Sequence, residues 1–590
     1  MYPRENSIRE KKDLSGIWRF RMEKPAEEGS QWFSEPLRET IAMPVPASYN
    51  DVTQDMSLRD HVGSVWYETT FYIPRSWKGK RVSVRFGSVT HRGTVWVNGQ
   101  YITEHTGGYM PFEGDISKAV DYGKENRITV RVDNRLDYRI MPPGEIENFS
   151  GDMYPEGYHR QLIRHDFFNY AGIHRPVIIY CTEQDYIEDI TVHTDIDNGD
   201  GIVRYSIDIC GAGEVKVELK DKEGAVRAAA EGADGELRVC NPHLWDIGYG
   251  YLYQLHVMLI KNGELTDEYH QPVGIRTFKV DGKQLLLNGR PIYLTGFGRH
   301  EDSDIRGKGL DNVLNVKDSN LMEWIGANSF RTSHYPYSEE IMDLADQQGV
   351  LVIDECTAVG INSWNANEII FCPERVDKDA LKHHKQVLSE LIARDKNRPG
   401  VVIYSVANEA ATHEEGAVPY FEEIIAHTRK LDPTRPVMIV QSSTPEECRV
   451  SHLADIIGVN RYYSWYSDSG ELDLIERQTE RDLRIWHERF NTPVMMTEFG
   501  ADTTAGFHSD PPQMFSEEYQ AEFVKRYFNV FDRLDFVVGE HIWNFADFNT
   551  KQGTTRVMGN KKGIFTRQRQ PKLAAQIVRE RWKKINQRNK

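Results

Sequence analysis

The sequence predicts a multidomain protein of the β plus α/β class, in which two β-sandwiches precede a (β/α)8 TIM barrel. Three observations lead to this prediction. The chain has 590 residues, which is too many for a single hydrophobic core. Its first half consists of short strand-like runs separated by turn residues. After Lys279 the pattern changes to alternating strand-like and helix-like segments, which is typical of a barrel.

Residues 1–183 are predicted to form an N-terminal jelly-roll β-sandwich. The stretch Arg81–Phe86 alternates polar and apolar residues, as expected for a half-buried strand. Asn98-Gly99 lies between two strand-like runs and predicts a tight hairpin. The segment His165–Arg175 is dense in charged and aromatic residues, so we interpret it as a loop with a functional role.

Residues 184–278 are predicted to form an immunoglobulin-like β-sandwich of about seven short strands. Representative strands are Ile190–His193, Val215–Leu219 and Leu252–Leu259. No residue of this region suggests catalysis. We therefore expect it to act as a spacer and an interface between the flanking domains.

Residues 279–590 are predicted to form the barrel. The expected strands are Ile292–Phe297, Ser329–Thr332, Val350–Asp354, Val401–Ala407, Val437–Val440, Ile456–Asn460, Val494–Thr497 and Val537–Trp543. Helical patterns lie between them, at Ser338–Gln347, Asp377–Arg394, Ala417–Lys430, Leu472–Phe490 and Glu517–Asp532. Strands that are covered on both faces explain the nearly continuous apolar runs.

The composition restricts the classes of partner and compartment. A net charge of −17 argues against nucleic acid or an anionic membrane as partner. The six cysteines are scattered without CxxC spacing, which indicates free thiols in a reducing compartment. We see no signal peptide and no apolar run long enough to span a membrane. A cytoplasmic protein is the resulting expectation.

Two strand-like runs end abruptly in a glutamate. Val401–Asn408 is followed by Glu409, and Val494–Thr497 is followed by Glu498. Barrel enzymes keep their chemistry at the carboxyl ends of the strands. Retaining glycosidases need two carboxyl groups there, about 5–5.5 Å apart. Three further acids near predicted strand ends remain open as alternatives, namely Asp354, Glu355 and Glu540.

Longer motifs resemble a known family. The stretch Asn328–Pro336, followed by Asp346–Ile353, resembles one signature of glycoside hydrolase family two. The stretch Asp395–Pro399, running on to Asn408-Glu409, resembles its acid/base signature. Tyr404 and Gly400 depart from the usual pattern of that signature, but both lie before the strand end. The order of jelly roll, sandwich and barrel also matches the family, which covers nearly the whole chain.

The resemblance implies a retaining mechanism in which Glu409 is the acid/base and Glu498 is the nucleophile. It also implies a sugar class, because Asn560 and Lys562 in the segment Arg556–Phe565 look like the uronate-reading motif of the β-glucuronidases in this family. A cation and an amide donor are the groups that suit an ionised C6 carboxylate.

Other positions are assigned to the substrate site by the same resemblance. Asp166 would reach a sugar hydroxyl from the jelly roll, and Tyr462 would hydrogen-bond near the nucleophile. Tyr466 and Arg556 would support the carboxylate end, and Trp543 would form the floor. The complete predicted substrate-binding set is Asp166, His334, Asn408, Tyr462, Tyr466, Trp543, Arg556, Asn560 and Lys562. An amide beside an acid, as at Asn408, can also hold a sugar hydroxyl next to the reacting carbon.

The resulting hypothesis is a retaining exo-β-D-glucuronidase that needs no cofactor and no metal. A family-two β-galacturonidase or β-galactosidase is the nearest alternative. A catalytically silent carbohydrate-binding protein is the alternative of another class. Since relatives are often oligomers, we also expect a homo-oligomer, either a dimer or a tetramer.

The third loop of the barrel, Thr357–Val376, is shorter than the insertion found in some bacterial β-glucuronidases. It retains Trp364, Ile369, Ile370 and Phe371. One interpretation is a packed Ω-loop. The other is a partial lid over the site of the aglycone, which would admit both small and somewhat larger conjugates.

Overall fold

The computed structural model describes residues 1–363 and 368–588. Its first part is a sandwich of a four-stranded sheet, ordered β1-β15-β6-β10, and a six-stranded sheet, ordered β3-β2-β5-β11-β8-β9. The strands are β1 Glu10–Asp13, β2 Gly16–Met22, β3 Ile41–Val45, β4 Ala47–Ser48, β5 Ser64–Tyr72, β6 Arg81–Phe86, β7 Val89–Thr90, β8 Arg92–Val97, β9 Gln100–Thr106, β10 Phe112–Asp115, β11 Glu125–Asp133, β12 Gly144–Asn148, β13 His159–Ile163, β14 Gly172–Ile173 and β15 Val177–Thr182, with the short helix α1 Met56–Arg59 between β4 and β5. Apolar side chains from the two sheets, such as Trp18 and Val84, form a single buried core.

The predicted hairpin is present at Asn98-Gly99. These two residues join β8 to β9, and their φ angles are +50° and +78°. Two consecutive residues with positive φ give a turn whose twist matches that of the flanking strands. Asn and Gly are the residues that adopt this conformation at least cost.

The second part is a smaller sandwich with sheets ordered β16-β17-β20 and β19-β18-β21-β22. Its strands are β16 Tyr186–Asp197, β17 Asp200–Cys210, β18 Glu214–Lys220, β19 Val226–Glu231, β20 Asp234–Val239, β21 Tyr253–Lys261 and β22 Glu264–Val273. β16 and β18 extend beyond the predicted strands at both ends, whereas β21 begins one residue later and ends two residues later than predicted. The side chains alternate along β18, where Val215, Val217 and Leu219 are buried. The polar residues between them therefore lie on the outer face.

The third part begins with a small sheet and continues as a barrel. In the described residues, eight parallel strands close the barrel in chain order from β26 to β33. The strands are β23 Phe278–Asp281, β24 Gln284–Leu287 and β25 Arg290–Ile292 in the small sheet, and β26 Leu294–Gly298, β27 Ser329–Arg331, β28 Leu351–Glu355, β29 Val401–Asn408, β30 Val437–Gln441, β31 Ile456–Asn460, β32 Val494–Glu498 and β33 Val537–Ile542 in the barrel. The helices are α2 Asn312–Ile325, α3 Glu339–Gln348, α4 Lys378–Asp395, α5 Ala417–Leu431, α6 Ile475–Phe490, α7 Glu517–Phe531 and α8 Ala574–Arg588.

The predicted fold class is confirmed, and the predicted barrel strands agree with the observed strands to within two residues. The agreement has a physical reason, because every residue of β29 is buried and a strand covered on both faces must be almost entirely apolar. Among the described helices, none combines the length and the apolarity that a membrane crossing requires.

Hydrogen bonds across the domain junctions hold the first sandwich against the barrel. Arg85 donates to Glu339 at 2.9 Å, at the start of α3. Arg175 donates to the carbonyl of Pro336 at 2.7 Å. Both guanidinium groups are buried. The segment 165–175 therefore lies over the carboxyl ends of the barrel strands.

Candidate active site

Glu409 and Glu498 lie at the carboxyl ends of two barrel strands. Glu498 is the last residue of β32, and Glu409 directly follows β29. Glu409 has a φ of +52°, a left-handed conformation that is uncommon for a residue with a side chain. Its amide donates to the carbonyl of Val440 at 2.9 Å, which fixes this turn. Strained backbone of this kind is concentrated at functional sites.

Two side chains hold the Glu498 carboxylate in one orientation. Arg331 donates to Oε1 at 2.5 Å, and the Tyr462 hydroxyl donates to Oε2 at 2.6 Å. Glu498 is only 4% exposed. Because each oxygen accepts a charged or phenolic donor, the carboxylate is fixed before any ligand arrives.

Glu409 is in a different electrostatic state. Burial, together with the negative charge of Glu498, raises its pKa from 4.5 to about 7. The Asn460 amide donates to Oε1 at 2.8 Å and acts in the opposite direction, because it stabilises the charged form. At neutral pH a large share of Glu409 is therefore protonated, beside a second carboxylate.

Glu498 is part of a buried ion cluster that also contains Arg331, Glu355 and His334. Arg331 is 0% exposed and donates to both oxygens of Glu355, at 2.9 and 2.8 Å. His334 lies 2.8 Å from Glu355 and 3.8 Å from Glu498. Burial alone would raise the pKa of Glu355, but Arg331, His334 and the hydroxyl of Ser405 together hold it below its ordinary value.

Two asparagines connect the ion cluster to Glu409. The Asn408 side-chain carbonyl accepts from Arg331 at 3.4 Å and from Asn460 at 3.2 Å. The side-chain carbonyl of Asn460 accepts from the Thr497 hydroxyl at 2.7 Å. This hydrogen bond directs the side-chain NH2 group of Asn460 toward Glu409. Glu498, Arg331, Asn408, Asn460 and Glu409 thus form one continuous hydrogen-bonded chain across the barrel mouth.

A second cluster contains the predicted carboxylate-reading residues. Lys562 is 0% exposed, although its side chain is cationic. Its ammonium group donates to the Tyr466 hydroxyl at 2.8 Å and forms an ion pair with Asp502. It also lies 4.7 Å from the centre of the Tyr466 ring and 5.3 Å from that of Trp465. A buried cation of this kind needs an anionic partner.

The first sandwich reaches the same cluster through Asp166. Its carboxylate accepts from Arg556 at 2.9 Å and from the Asn560 amide at 2.9 Å. Burial would raise the pKa of Asp166, but the charge of Arg556 and its hydrogen bonds lower it. Arg556 also donates to the Tyr466 hydroxyl at 2.7 Å. Residues from two domains therefore build one polar site.

An aromatic wall closes the side next to His334. The ring of Trp543 stacks on His334 at 5.1 Å and meets His300 edge-on at 5.3 Å. Phe548 lies 5.8 Å from Trp543. Trp543 is 4% exposed and follows β33 directly. Because β33 pairs with β32, this indole offers an apolar surface beside the strand that carries Glu498.

All eleven predicted site residues lie in this region, in two groups. Around the glutamates are Glu409, Glu498, Asn408, Tyr462, His334 and Trp543, and around the buried lysine are Asp166, Tyr466, Arg556, Asn560 and Lys562. Tyr462 and Tyr466 connect the groups, because their rings meet at 5.2 Å. Tyr466 is 56% exposed, so it lies at the rim of the site.

The alternative acids have other partners. Glu355 belongs to the ion cluster with Arg331. Asp354 lies beside Asp395. Burial is the main cause that raises the pKa of Asp354 well above its ordinary value, and the negative charge of Asp395 is the second cause. Glu540 lies within β33 and pairs with Arg581 at 2.8 Å. None of these three carboxyl groups contacts Glu409 through a described hydrogen bond.

The predicted set omitted three contributors, Arg331, Asn460 and Asp502. Arg331 and Asn460 are the final residues of β27 and β31, so the rule of polar residues at strand ends could have identified them. Asp502 lies four residues beyond the end of β32, and only its ion pair with Lys562 reveals its place.

The third barrel loop is tied to the first sandwich. Glu368 accepts from Arg164 at 2.6 Å and pairs with Arg375 at 2.6 Å. The Arg164 hydrogen bond lowers the pKa of Glu368 to about 2. Ile370 is buried, and Phe371 packs edge-on against Tyr420 of α5. Ile369 is 60% exposed, and the predicted Trp364 lies outside the described residues.

Comparison with known protein families gives matches along the whole chain. The model for the TIM barrel domain of glycosyl hydrolases family 2 matches residues 278–587. The sugar binding domain model of that family matches residues 11–183, and a third model of the family matches residues 185–276.

Individual relatives give similar results. A protein of Paenibacillus borealis named β-glucuronidase is 54% identical over 99% of this chain and 98% of its own length. The β-glucuronidase of Felis catus is 48% identical over 100% of this chain and 93% of its own. The solved β-D-glucuronidase of Dictyoglomus thermophilum has a TM-score of 0.95 at 54% identity, covering 99% and 98% of the two chains. A Ruminococcus gnavus β-glucuronidase in complex with a C6-substituted uronic isofagomine has a TM-score of 0.94 at 40% identity, covering 99% of each chain.

Proposed function

The chain belongs to glycosyl hydrolase family 2 and hydrolyses β-glucuronides, and we propose that it does so with retention of anomeric configuration through Glu498 and Glu409. The contrast between the two carboxyl groups carries this proposal. Glu498 accepts hydrogen bonds on both oxygens, whereas the raised pKa of Glu409 keeps a proton available. This division suits a nucleophile and an acid/base.

The first step forms a covalent intermediate. Oε of Glu498 attacks C1 of the glucuronide, and the bond between C1 and the aglycone oxygen breaks. Glu409 transfers its proton to that oxygen, so the aglycone leaves as a neutral alcohol or phenol. Glu409 is then ionised, and an ester joins the sugar to Glu498.

The second step reverses the proton transfer. Glu409 removes a proton from water, whose oxygen attacks C1 and releases the Glu498 carboxylate. Glucuronic acid leaves in the β configuration, and both side chains return to their initial states. Arg331 and Tyr462 support this step, because they are placed to receive the carboxylate charge as it returns.

The selection of a uronate is assigned to the cluster around Lys562. Its buried ammonium group, the Asn560 amide and the Arg556 guanidinium would bind an ionised C6 carboxylate, with Tyr466 at the rim. Trp543 and His334 would line the sugar on the side away from the cluster around Lys562. The proposed action is exo, on the terminal sugar of a conjugate.

Initial hydrolysis rates on nitrophenyl β-D-glucuronide, β-D-galacturonide and β-D-galactoside test the proposed selection. A large preference for the glucuronide is expected. A preference for the galacturonide or the galactoside would keep the two-glutamate mechanism and reject the assigned sugar. Inactivity on all three would favour a silent carbohydrate-binding protein.

The third loop, residues 357–376, is proposed to cover part of the aglycone position. The support is Glu368, which joins this loop to Arg164 of the first sandwich. Glu368→Ala should raise KM for an aryl glucuronide while kcat changes little. Unchanged KM values for aryl and methyl glucuronides would remove this proposal.

The remaining assignments are also proposals. The division at residues 183/184 and 278/279, with a jelly-roll topology for the first sandwich, is supported by the order of the sheets. A cytoplasmic location is supported by the six free cysteines, two of which are exposed, and a bacterial origin by the 54% identity with the protein of Paenibacillus borealis. We propose that it works without a cofactor or metal and as a homo-oligomer, dimer or tetramer, which light scattering would test.

A further inference from the structure

The outer face of the second sandwich carries a group of metal-ligating side chains. His256 on β21 is paired in register with His270 on β22, and with Glu218 on β18 on its other side. Glu268 lies two residues before His270 on the same face. We propose that His256, Glu268 and His270 bind a divalent transition-metal ion of the zinc class.

The distances between the ligand atoms fit one ion. One atom from each of the three side chains lies within 4.8 Å of the others. Nε2 of His256 is 2.8 Å from Oε2 of Glu268, and Nε2 of His270 is 3.9 Å from the same oxygen. Bonds of about 2.0–2.2 Å in a tetrahedral site separate neighbouring ligand atoms by about 3.3–3.5 Å. The two observed distances lie on either side of this value.

The two carboxylate oxygens of Glu268 have different partners. Its Oε1 accepts from the Ser7 amide at 3.1 Å and from the Ser7 hydroxyl at 2.6 Å. Its Oε2 faces the two histidines. The first oxygen therefore fixes the carboxylate, which leaves the second as a monodentate ligand.

His270 has the freedom that the site requires. Its ring stacks on His256 with a centroid distance of 4.3 Å and an angle of 8°. Parallel rings do not direct both Nε2 atoms to one point, so binding requires rotation of one ring. The His270 side chain is 41% exposed, and no hydrogen bond fixes its ring within the described residues.

Glu218 supplies the outer partner that a metal-bound histidine needs. Without metal, Nε2 of His256 donates to Glu268 and Nδ1 accepts from Lys220 at 3.1 Å. When Nε2 binds the ion, the proton moves to Nδ1. Lys220, which also pairs with Glu218 at 2.9 Å, then has to leave Nδ1, and Glu218, whose Oε2 lies 3.8 Å away, has to move closer to accept that proton. A carboxylate behind a ligating histidine fixes its tautomer and orientation.

The donor set identifies the chemical class of ion. Two imidazoles and one carboxylate suit zinc and its neighbours, whereas magnesium and calcium prefer oxygen ligands. The fourth position would hold water. The site lies on the second sandwich and shares no residue with the glutamate pair, so glucuronide hydrolysis does not depend on it.

Titration of the chelator-treated full chain with ZnCl2, followed by calorimetry and by metal analysis after gel filtration, tests the proposal. One zinc ion per chain is expected, together with a higher melting temperature. His270→Ala and Glu268→Gln should each weaken binding about 100-fold or more, and Glu218→Gln by about 10- to 100-fold. His452→Ala, which removes an exposed histidine of the barrel, is the matched control and should bind zinc like wild type.

Each variant is also assayed on nitrophenyl β-D-glucuronide, where its kcat/KM should equal that of wild type. Circular dichroism confirms that the variants fold. Equal zinc binding by wild type and His270→Ala would overturn the proposal, as would wild type that retains no zinc. Binding that falls equally in His452→Ala and His270→Ala would show non-specific binding to histidines and overturn it as well.

Discussion

Arg331 joins the candidate nucleophile to a second buried acid, since its guanidinium donates to Glu498 at 2.5 Å and to both oxygens of Glu355. One buried cation is thus shared between two buried carboxylates. Burial of this arrangement is tolerable only because each charge is paired.

Arg331→Lys should lower kcat for a glucuronide by about 10- to 150-fold. A lysine keeps the positive charge but cannot donate to both carboxylates at once, and one hydrogen bond to a charged group contributes about 1.5–3 kcal/mol. Steady-state kinetics measure the effect, and thermal unfolding checks that the variant is folded. A folded variant with unchanged kcat would show that Glu498 needs no such support.

The activity should depend on the protonation of Glu409. Its pKa of about 7 places the loss of the catalytic proton near neutrality, so kcat/KM should fall as the pH rises through that value. The Asn460 amide stabilises the ionised form, so Asn460→Ala should move this alkaline limb to higher pH. A pH–rate profile measures both. An alkaline limb that stays in place in the variant would contradict the role of this hydrogen bond.

The same pKa predicts an effect on stability. The pKa of Glu409 is raised in the folded state, so the stability contributed by the protonated form is complete below about pH 4.5 and is lost as the pH rises through about 7. Glu409→Gln stays neutral at all these pH values. The free energy of unfolding of this variant at pH 8 should therefore exceed that of wild type by on the order of 3 kcal/mol.

Urea denaturation at pH 8 and pH 5 measures this difference. At pH 5 it should shrink to about 1 kcal/mol or less, because folded wild type is then protonated at this position. A variant that is less stable than wild type at pH 8 would mean that the folded protein does not disfavour the ionised form of Glu409.

Lys562→Ala should reduce the transition-state stabilisation that is calculated from kcat/KM for the glucuronide by about 2–5 kcal/mol. The reason is that the substrate carboxylate would lose a buried charge partner. The neighbouring Lys561→Ala is the matched control, since its side chain is partly exposed and lies outside the cluster. The loss should be much smaller on a neutral β-glucoside, which has no carboxylate. Equal losses on both substrates would assign Lys562 to the scaffold.

Local patterns in the sequence explain how much of this site could be predicted. The position of Glu409 follows from the apolar run of β29, and the hairpin at Asn98 follows from turn chemistry. The pairing of Arg331 with Glu498 joins residues 167 positions apart. It depends on how the barrel closes, which no local pattern contains.

The second group of unpredicted contacts depends on strand register. His256 and His270 meet because β21 and β22 pair with a register that places them opposite each other. A slip of one residue would move one of them to the core face. Asp502 lies in a loop after β32, and its contact with Lys562 depends on the path of a second loop.

Glu498 is proposed to form the covalent bond to the sugar. A glucuronyl fluoride with fluorine at C2 should form a long-lived intermediate, because the electronegative substituent slows both steps and the fluoride leaving group favours the first. Peptide mass spectrometry of the trapped protein should then locate one glucuronyl adduct on Glu498. An adduct on Glu409 or Glu355, or inhibition without any adduct, would show that Glu498 is not the nucleophile.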